Sequence, residues 1–552
     1  MTQGKPPSSP APQASHSAWS PFRHTTFAVL WTATLLSNIG GWMHEVGAGW
    51  LMTTMTSSPV LVSLVQTAMT LPVFLLALPS GALADILDRR RLLIGAQVAM
   101  TLLAAAMGAI VLAGGMTPLA LLLFTFALGI GTALLAPAWQ AIVPSLVPRA
   151  DLAPAIVLNS VGINVSRAIG PALGGAAILG LGVAWPFLIN ALSYLIVIAA
   201  LLWWQPPGPP PRVLPAEHIL VAIRSGLRYS RASEPLKHTL CRTVLFVVFA
   251  SAYFALLPLI ARVRLSGGAD LYGLLVGCIG AGAVLGAILL PRIRVRLGPN
   301  RLVAAGTVIT VVVLTAFALS RETSIAVAAS LIAGASWIAA LSSFHVSTQM
   351  SLPDWVRARG LSVYTAVFFG SMAGGSLLWG QLAAGLGLSG ALLVAAGGAL
   401  LCLWPASRFK LQSGESLNLS PSSHWPQPII SGEAAHDRGP VMITVEYQVP
   451  PEQAMPFLDA MRELAKARRR GGAFGWGTYR DTAEPERYLE YFLEESWLEH
   501  LRHHERVTED DRTLQERLAS FHAGPSAPRV RHFLAAEGAP HGKLDVIPKG
   551  LQ

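Results

Sequence analysis

The chain has 552 residues, of which 53% are hydrophobic and only 13% charged, with a formal net charge of +10. A soluble domain carries about 25% charged residues, so an ordinary water-facing surface is excluded over most of the length, and a mean hydropathy of +0.51 points to a membrane protein. Up to Lys410 there are 24 Lys and Arg against 9 Asp and Glu, and after it 16 against 21. The positive charge falls in short clusters between apolar runs rather than on one soluble face, which sets nucleic acid aside as a partner. Cys241, Cys278 and Cys402 show no paired spacing for a disulfide or a zinc site, so no metal ligands are expected from them.

Residues 1–24, rich in Pro, Ser, Gln and His, read as a disordered cytoplasmic tail without the pattern of a cleavable signal. From Thr25 to Pro405 the chain is a series of apolar runs, each long enough to cross a hydrocarbon core of ~30 Å as a helix. Twelve are expected, at 25–46, 59–81, 91–113, 117–138, 155–181, 184–204, 240–260, 271–290, 302–320, 324–346, 361–383 and 388–405. Positively charged loops stay on the cytoplasmic side. With the N-terminus inside, the inside segments hold eighteen Lys and Arg, among them Arg89 to Arg91, Arg292, Arg294 and Arg296, while the outside loops hold only Arg262, Arg264 and Arg321. Both termini are therefore expected to be cytoplasmic.

An internal repeat is visible. Gly81-Ala-Leu-Ala-Asp85 with Arg89, Arg90 and Arg91 lines up with Gly286-Ala-Ile-Leu-Leu290 and its following arginines, and Gly170-Pro171 with Gly174-Gly175 lines up with Gly370 and Gly374-Gly375. The pattern divides the membrane part into two six-helix halves, 25–204 and 240–405, joined by a basic, amphipathic central loop at 205–239 on the cytoplasmic side. Parallel halves with a binding site between them are the plan of a secondary transporter.

At these residues the chain resembles the major facilitator superfamily. Gly81-x-x-x-Asp85-x-x-x-Arg89-Arg90-Arg91 is similar to its signature between helices two and three, departing from it at Ile86 and Asp88. Pro137-Ala-Trp-Gln140, Asn159-Ser160, Arg167-x-x-Gly170-Pro171-x-x-Gly174-Gly175 and Arg357-x-Arg359 resemble the transmembrane secretion effector, or enterobactin-exporter-like, group, which is near the macrolide efflux permeases. The resemblance implies a multi-pass protein of a bacterial inner membrane that exports a small molecule, siderophore, macrolide-like or otherwise amphipathic. The fifth-helix element Gly170, Pro171, Gly174, Gly175 is typical of antiporters in that superfamily.

Physical reasoning on the same residues assigns a gate and a site. Asp85 closes the second helix, where an anion can accept hydrogen bonds from a helix N-terminus or an arginine. Its expected partners are the start of the eleventh helix and Arg357 or Arg359, a contact that latches one side shut. The alternative is that Arg89, Arg90 and Arg91 act only on topology. Ser160, Asn164, Arg167, Pro171 and Gly174 share one helical face. A charge inside the membrane is costly, so Arg167 is expected either in the substrate cavity, with Asn164, Ser160, Asn38 and Tyr253, or as a hub of structural hydrogen bonds. Glu45, preceded by His44, is the carboxylate well inside an apolar run and the candidate to carry a coupling proton. Measured along a helix ending at residue 46, Glu45 falls near the outer boundary and Asn38 matches the depth of Arg167 better.

After a linker at 406–438 the pattern becomes that of a soluble fold. Val441, Ile443, Val445 and Tyr447 alternate as a strand, a helix runs to about Arg470, strands follow at 473–480 and 486–494, then a helix at 496–519 and a strand at 529–534. That order is the ferredoxin-like one. The fold class expected is thus an all-α polytopic membrane protein of twelve helices with a C-terminal α+β ferredoxin-like domain at 439–552. The segment resembles the dimeric α/β barrels related to antibiotic-biosynthesis monooxygenases, through Ser496-Trp497-x-x-His500-Leu-Arg-His503-His504. The resemblance implies a homodimer or a ligand-sensing role, with oxygenase chemistry as the alternative. There is no Gly-x-x-x-x-Gly-Lys loop and no Gly-x-Ser-x-Gly elbow, so no catalytic residue and no cofactor is expected. The overall expectation is a proton-driven exporter in the lipid bilayer, with an importer or a membrane-tethered oxygenase as alternatives.

Overall fold

The computed structural model describes residues 19–205, 219–412, 418–422, 424–425 and 439–536. The chain divides into two compact units, one holding 1–217, 240–344 and 364–410, the other 218–239, 345–363 and 411–552.

The first unit is helical throughout. Its elements are α1 (Thr25–Met55), α2 (Pro59–Ile86), α3 (Arg89–Leu112), α4 (Pro118–Ile142), α5 (Leu152–Leu181) and α6 (Trp185–Trp203), then, beyond α7 (Ile219–Ala232), α8 (Glu234–Leu259), α9 (Ala269–Leu319), α10 (Thr323–Met350), α11 (Arg357–Leu401) and the short α12 (Leu403–Arg408). Among the described residues nine helices, α2 to α6 and α8 to α11, are long and apolar enough to cross a membrane. The 31-residue α1 is not one of them, because Asn38, His44, Glu45 and its glycines dilute its apolar character. Two of the nine are interrupted. Gly298 in α9 (φ 68°) and Gly387 in α11 (φ 75°) take the left-handed conformation, which glycine adopts without the Cβ penalty. Each sits where the sequence expects a turn between two spans.

Two expected boundaries move. The first helix continues to Met55, nine residues past the expected end, so Glu45 lies ~15 Å before its end at ~1.5 Å per residue rather than at a boundary. Residues 234–239, expected in the central loop, form the first turns of α8, whose first turn carries Glu234, favourable at a helix N-terminus.

The second unit carries β1 (Val441–Gln448), α13 (Ala454–Gly471), β2 (Gly475–Arg480), β3 (Arg487–Glu494), α14 (Trp497–Arg506), α15 (Glu509–Ala519) and β4 (Arg529–Leu534). The four strands form an antiparallel sheet in the order β2-β3-β1-β4. The helix expected at 496–519 is two helices, because Val507 is extended and Thr508 begins a new one with a capping box to Asp511. Phe457, Met461 and Leu464 of α13 pack on Val445, Tyr447 and Tyr488.

Charge is buried in this unit, and each charge is tied down. Arg468 donates to both carboxylate oxygens of Glu490, at 3.0 and 3.3 Å, and Trp476 Nε1 donates to the same group at 3.1 Å. Glu494 bonds His500 Nδ1 at 2.7 Å and His503 Nδ1. Burial alone would raise the Glu494 carboxyl, but the imidazoles of His503 and His500 hold it well below the usual carboxylate range. Burial, with the neighbouring imidazoles, pushes His504 and His532 down to about 4.

Two predictions follow from these pairs. Glu490→Gln leaves Arg468 buried without its counter-charge and should destabilise the second unit by about 3–5 kcal/mol, read in the full chain as lost amide-exchange protection of β1 and β3. Below pH 6.5 the unfolded chain takes up protons on His504 and His532 that the folded unit refuses, and further down the same holds for Glu494. Exchange protection, corrected for intrinsic rate, should therefore fall steadily from pH 6.5 to 4, and a flat profile would contradict these assignments.

Candidate functional site

Small residues on α5 set the geometry of the membrane site. A Cβ on Gly170 would lie 2.6 Å from Trp42 Cβ, and one on Gly174 would lie 2.9 Å from Met43 Cα, so α5 lies nearly backbone to backbone with α1. Ser166 Oγ donates to the Leu35 carbonyl at 3.3 Å, one turn further back. The register of α1 against α5 is thus Leu35 on Ser166, Trp42 on Gly170 and Met43 on Gly174. The opposite side of α5 meets α9, where a Cβ on Gly175 would come within 2.7 Å of the Ala269 carbonyl and one on Gly273 within 2.6 Å of the Pro171 carbonyl.

This register places Arg167 beside α1, with its guanidinium 5.4 Å from the Trp42 ring centre. Its Nε is buried without a hydrogen-bond partner. Glu45, three residues after Trp42, is within Coulombic reach of Arg167 and of Tyr272 on α9. Asn38 is half-buried on the same helix as Glu45. His44 points elsewhere: its ring meets Phe187 of α6 edge-on at 4.8 Å, and neither ring nitrogen has a partner. Asn164 donates to the Ser160 carbonyl at 2.8 Å, and Ser160 is exposed. Tyr253 on α8 is fully buried with its hydroxyl unpartnered, and Tyr364 on α11 is buried as well. Trp337, Phe254 and Phe368 form an aromatic group with ring centres 4.8 to 5.8 Å apart, and Trp379 Nε1 donates to the Val248 carbonyl at 2.6 Å.

One end of this unit is sealed by further contacts. Arg262, after α8, donates to the Thr53 carbonyl and lies 5.8 Å from the Trp50 ring, so a cation caps the C-terminus of α1. Trp50 stacks with Tyr272 at 6.4 Å. Thr67 of α2 donates to the Ala373 carbonyl of α11 at 3.2 Å, and a Cβ on Gly380 would strike Ser63. Arg262 and Tyr272 were not singled out by the sequence reading, since an arginine at a loop and a tyrosine in an apolar run carry no distinguishing signal.

The residues expected to form the gate fall partly in each of the two units. Gly81 lies within α2, and the Asp85 side chain is outside the described residues. Arg90 donates to the Leu201 and Leu202 carbonyls at 2.7 and 2.8 Å, capping α6. Arg89 is exposed at the start of α3. In the second unit Arg357 pairs with Asp354, and Arg359 donates to Ser225 Oγ at 2.7 Å.

The second unit holds a cavity of about 810 Å³ lined by Trp425, Tyr447, Arg468, His500, His504 and His532 among others. His500 and His504 share a face of α14, as their spacing predicts. His532 on β4 joins them, with ring centres of His500 and His532 4.8 Å apart, a meeting that strand pairing produces and sequence spacing cannot show.

The family model for the transmembrane secretion effector matches residues 16–539. The staphyloferrin A transporter of Staphylococcus aureus (strain NCTC 8325 / PS 47) is 22% identical over 268 residues, which is 48% of this chain and 67% of that protein. An uncharacterized MFS-type transporter of Bacillus subtilis (strain 168), YfiS, is 29% identical over 162 residues, 29% of this chain and 37% of the relative. Among solved structures, a bacterial homologue of the human lysosomal transporter Spinster, inward-facing and unoccupied, superimposes with a TM-score of 0.54 at 17% identity, covering 70% of this chain and 98% of that one. A POT family transporter in complex with 5-aminolevulinic acid gives 0.57 at 12%, covering 70% and 96%. These likenesses carry the fold. With the family match spanning most of its length, the chain belongs to the transmembrane secretion effector family and is a multi-pass membrane transporter of the major facilitator type.

Proposed function

We propose that the chain is a proton-coupled exporter of a small amphipathic molecule, with siderophores foremost, working by alternating access. The observation that carries the reading is the pair Glu45 and Arg167, two opposite charges inside membrane helices, within Coulombic reach yet without a hydrogen bond between them. An intramembrane charge that is not locked into a tight pair is free to exchange partners. Glu45 then carries the proton, and Arg167 with Trp42 and Asn38 receives an anionic or aromatic part of the substrate. The printed name of the staphylococcal relative supports the siderophore class. Twelve crossings fit the same scheme: the nine apolar helices, α1, and the two further spans created by the breaks at Gly298 and Gly387. On that count both termini are cytoplasmic in a bacterial plasma membrane, as the arginine-rich loops favour. The sealed end then faces outward. The strand order β2-β3-β1-β4 supports the ferredoxin-like reading of the second unit, whose relatives of that shape pair as dimers.

The test is accumulation of siderophore-like and fluorescent compounds in cells expressing the protein, with and without an uncoupler. Wild type should lower accumulation several-fold in an uncoupler-sensitive way, and Arg167→Ala and Glu45→Gln should each remove at least about 90% of that effect at equal expression. Raised accumulation would mean import, and wild-type export unaffected by either variant would overturn the site. Loosening the seal gives a separate readout. In a cysteine-free background, Tyr272→Cys should react with an impermeant thiol reagent added outside several times faster when Arg262→Ala is also present.

A further inference from the structure

The histidines of the second unit form an arrangement that transport does not use. His500 is 1% exposed, and its Nδ1 bonds a Glu494 carboxylate oxygen at 2.7 Å. A carboxylate accepts, so Nδ1 carries the proton and Nε2 keeps its lone pair. That Nε2 lies 3.1 Å from His504 Nε2. His504 follows one turn later on α14, and His532 arrives from β4, so that ligating atoms of all three rings lie within 4.8 Å of one another. Three imidazoles thus meet at one point on the wall of a large cavity, from a helix and a strand whose backbones are fixed by the sheet and the α14 cap.

We propose that His500, His504 and His532 bind one divalent transition-metal ion of the zinc class, with Glu494 orienting His500 and a fourth position open to the cavity. The spacing fits. Zinc–nitrogen bonds of ~2.0–2.1 Å put two tetrahedral ligands about 3.3 Å apart, close to the 3.1 Å between His500 and His504. A small rotation of one of the two half-buried rings, His504 or His532, brings the widest pair to the same separation. Ligating histidines characteristically donate their other ring nitrogen to a carboxylate, which fixes tautomer and orientation, and Glu494 does so here. The all-imidazole set suits Zn, Ni, Co or Cu rather than the hard cations Mg and Ca. Three protein ligands with an open fourth position are the arrangement that holds a water or an oxygen donor of a small molecule, and the cavity beside it has room for one. Nothing in this proposal depends on transport.

The test loads the full chain, purified in detergent without a polyhistidine tag, with Zn²⁺ or Co²⁺ and measures retained metal after gel filtration. Wild type should keep about one ion per chain, and the Co²⁺ form should show the intense visible bands of a tetrahedral site. His500→Ala and His532→Ala should abolish retention, Glu494→Gln should weaken binding about 10–100-fold, and His522→Ala, remote from the cluster, should change nothing. No retained metal in wild type, or retention by both alanine variants, would overturn the site. If the alanine variants fail to fold, the Co²⁺ spectrum of wild type decides: tetrahedral bands sustain the assignment, and their absence overturns it.

Discussion

The close approach of backbones along α5 is the constraint on which the membrane unit depends. Gly170 and Gly174 admit α1 on one side, and Gly175 and Pro171 admit α9 on the other. In lipid, apolar side chains gain little by meeting one another, so helix association rests on packing and hydrogen bonds, and small residues let the backbones approach. Once α1 and α5 are in register, the positions of Trp42, Glu45 and Arg167 follow. A larger residue at Gly170 would push the helices apart and take Arg167 away from the Trp42 ring.

The same close packing explains how a charge can be tolerated there. Arg167 is covered by an aromatic face and balanced by the Glu45 carboxylate within Coulombic reach, which offsets part of the desolvation cost without a bidentate contact. Met43 and Trp42 are held against the glycines of α5, which keeps the Trp42 ring beside Arg167. Trp50, Tyr272 and Arg262 close the unit at the end beyond Glu45, and a contact made of one capping arginine and one aromatic stack is easier to open than a glycine-packed backbone seam.

Much of the membrane unit was legible in the sequence because hydrophobic length is a direct signal. The breaks in α9 and α11 coincide with Gly298 and Gly387, and the alternating four- and three-residue spacing from Ser160 to Gly174 put Arg167 and Gly174 on one face of α5, which is the side that meets α1. What was not legible was position along the membrane normal. Glycines and polar residues at 47–55 ended the apolar run of α1 early, and so Glu45 was read as peripheral when the helix continues past it. In the second unit the strand periods were plain, but Val507 and Thr508 split a helix through backbone conformation and a capping box that apolar periodicity does not register. His532 joined the α14 histidines through pairing of β4 with β1, a contact across about ninety residues of chain that no local spacing encodes.

The two units treat buried charge in opposite ways. In the second unit Arg468 and Glu490 share two hydrogen bonds with a tryptophan completing the set, and Glu494 is held by two imidazoles. Such groups have no reason to move, since breaking them exposes the whole desolvation cost at once. In the membrane unit Arg167 and Glu45 attract each other at a distance and leave donor capacity unused. A charge locked by several short bonds stabilises one state, whereas a charge with a distant partner costs little to redirect. By that criterion the charges beside α1 and α5 are the ones that can be redirected at little cost, whereas Arg468, Glu490 and Glu494 of the second unit are fixed by the bonds they already make.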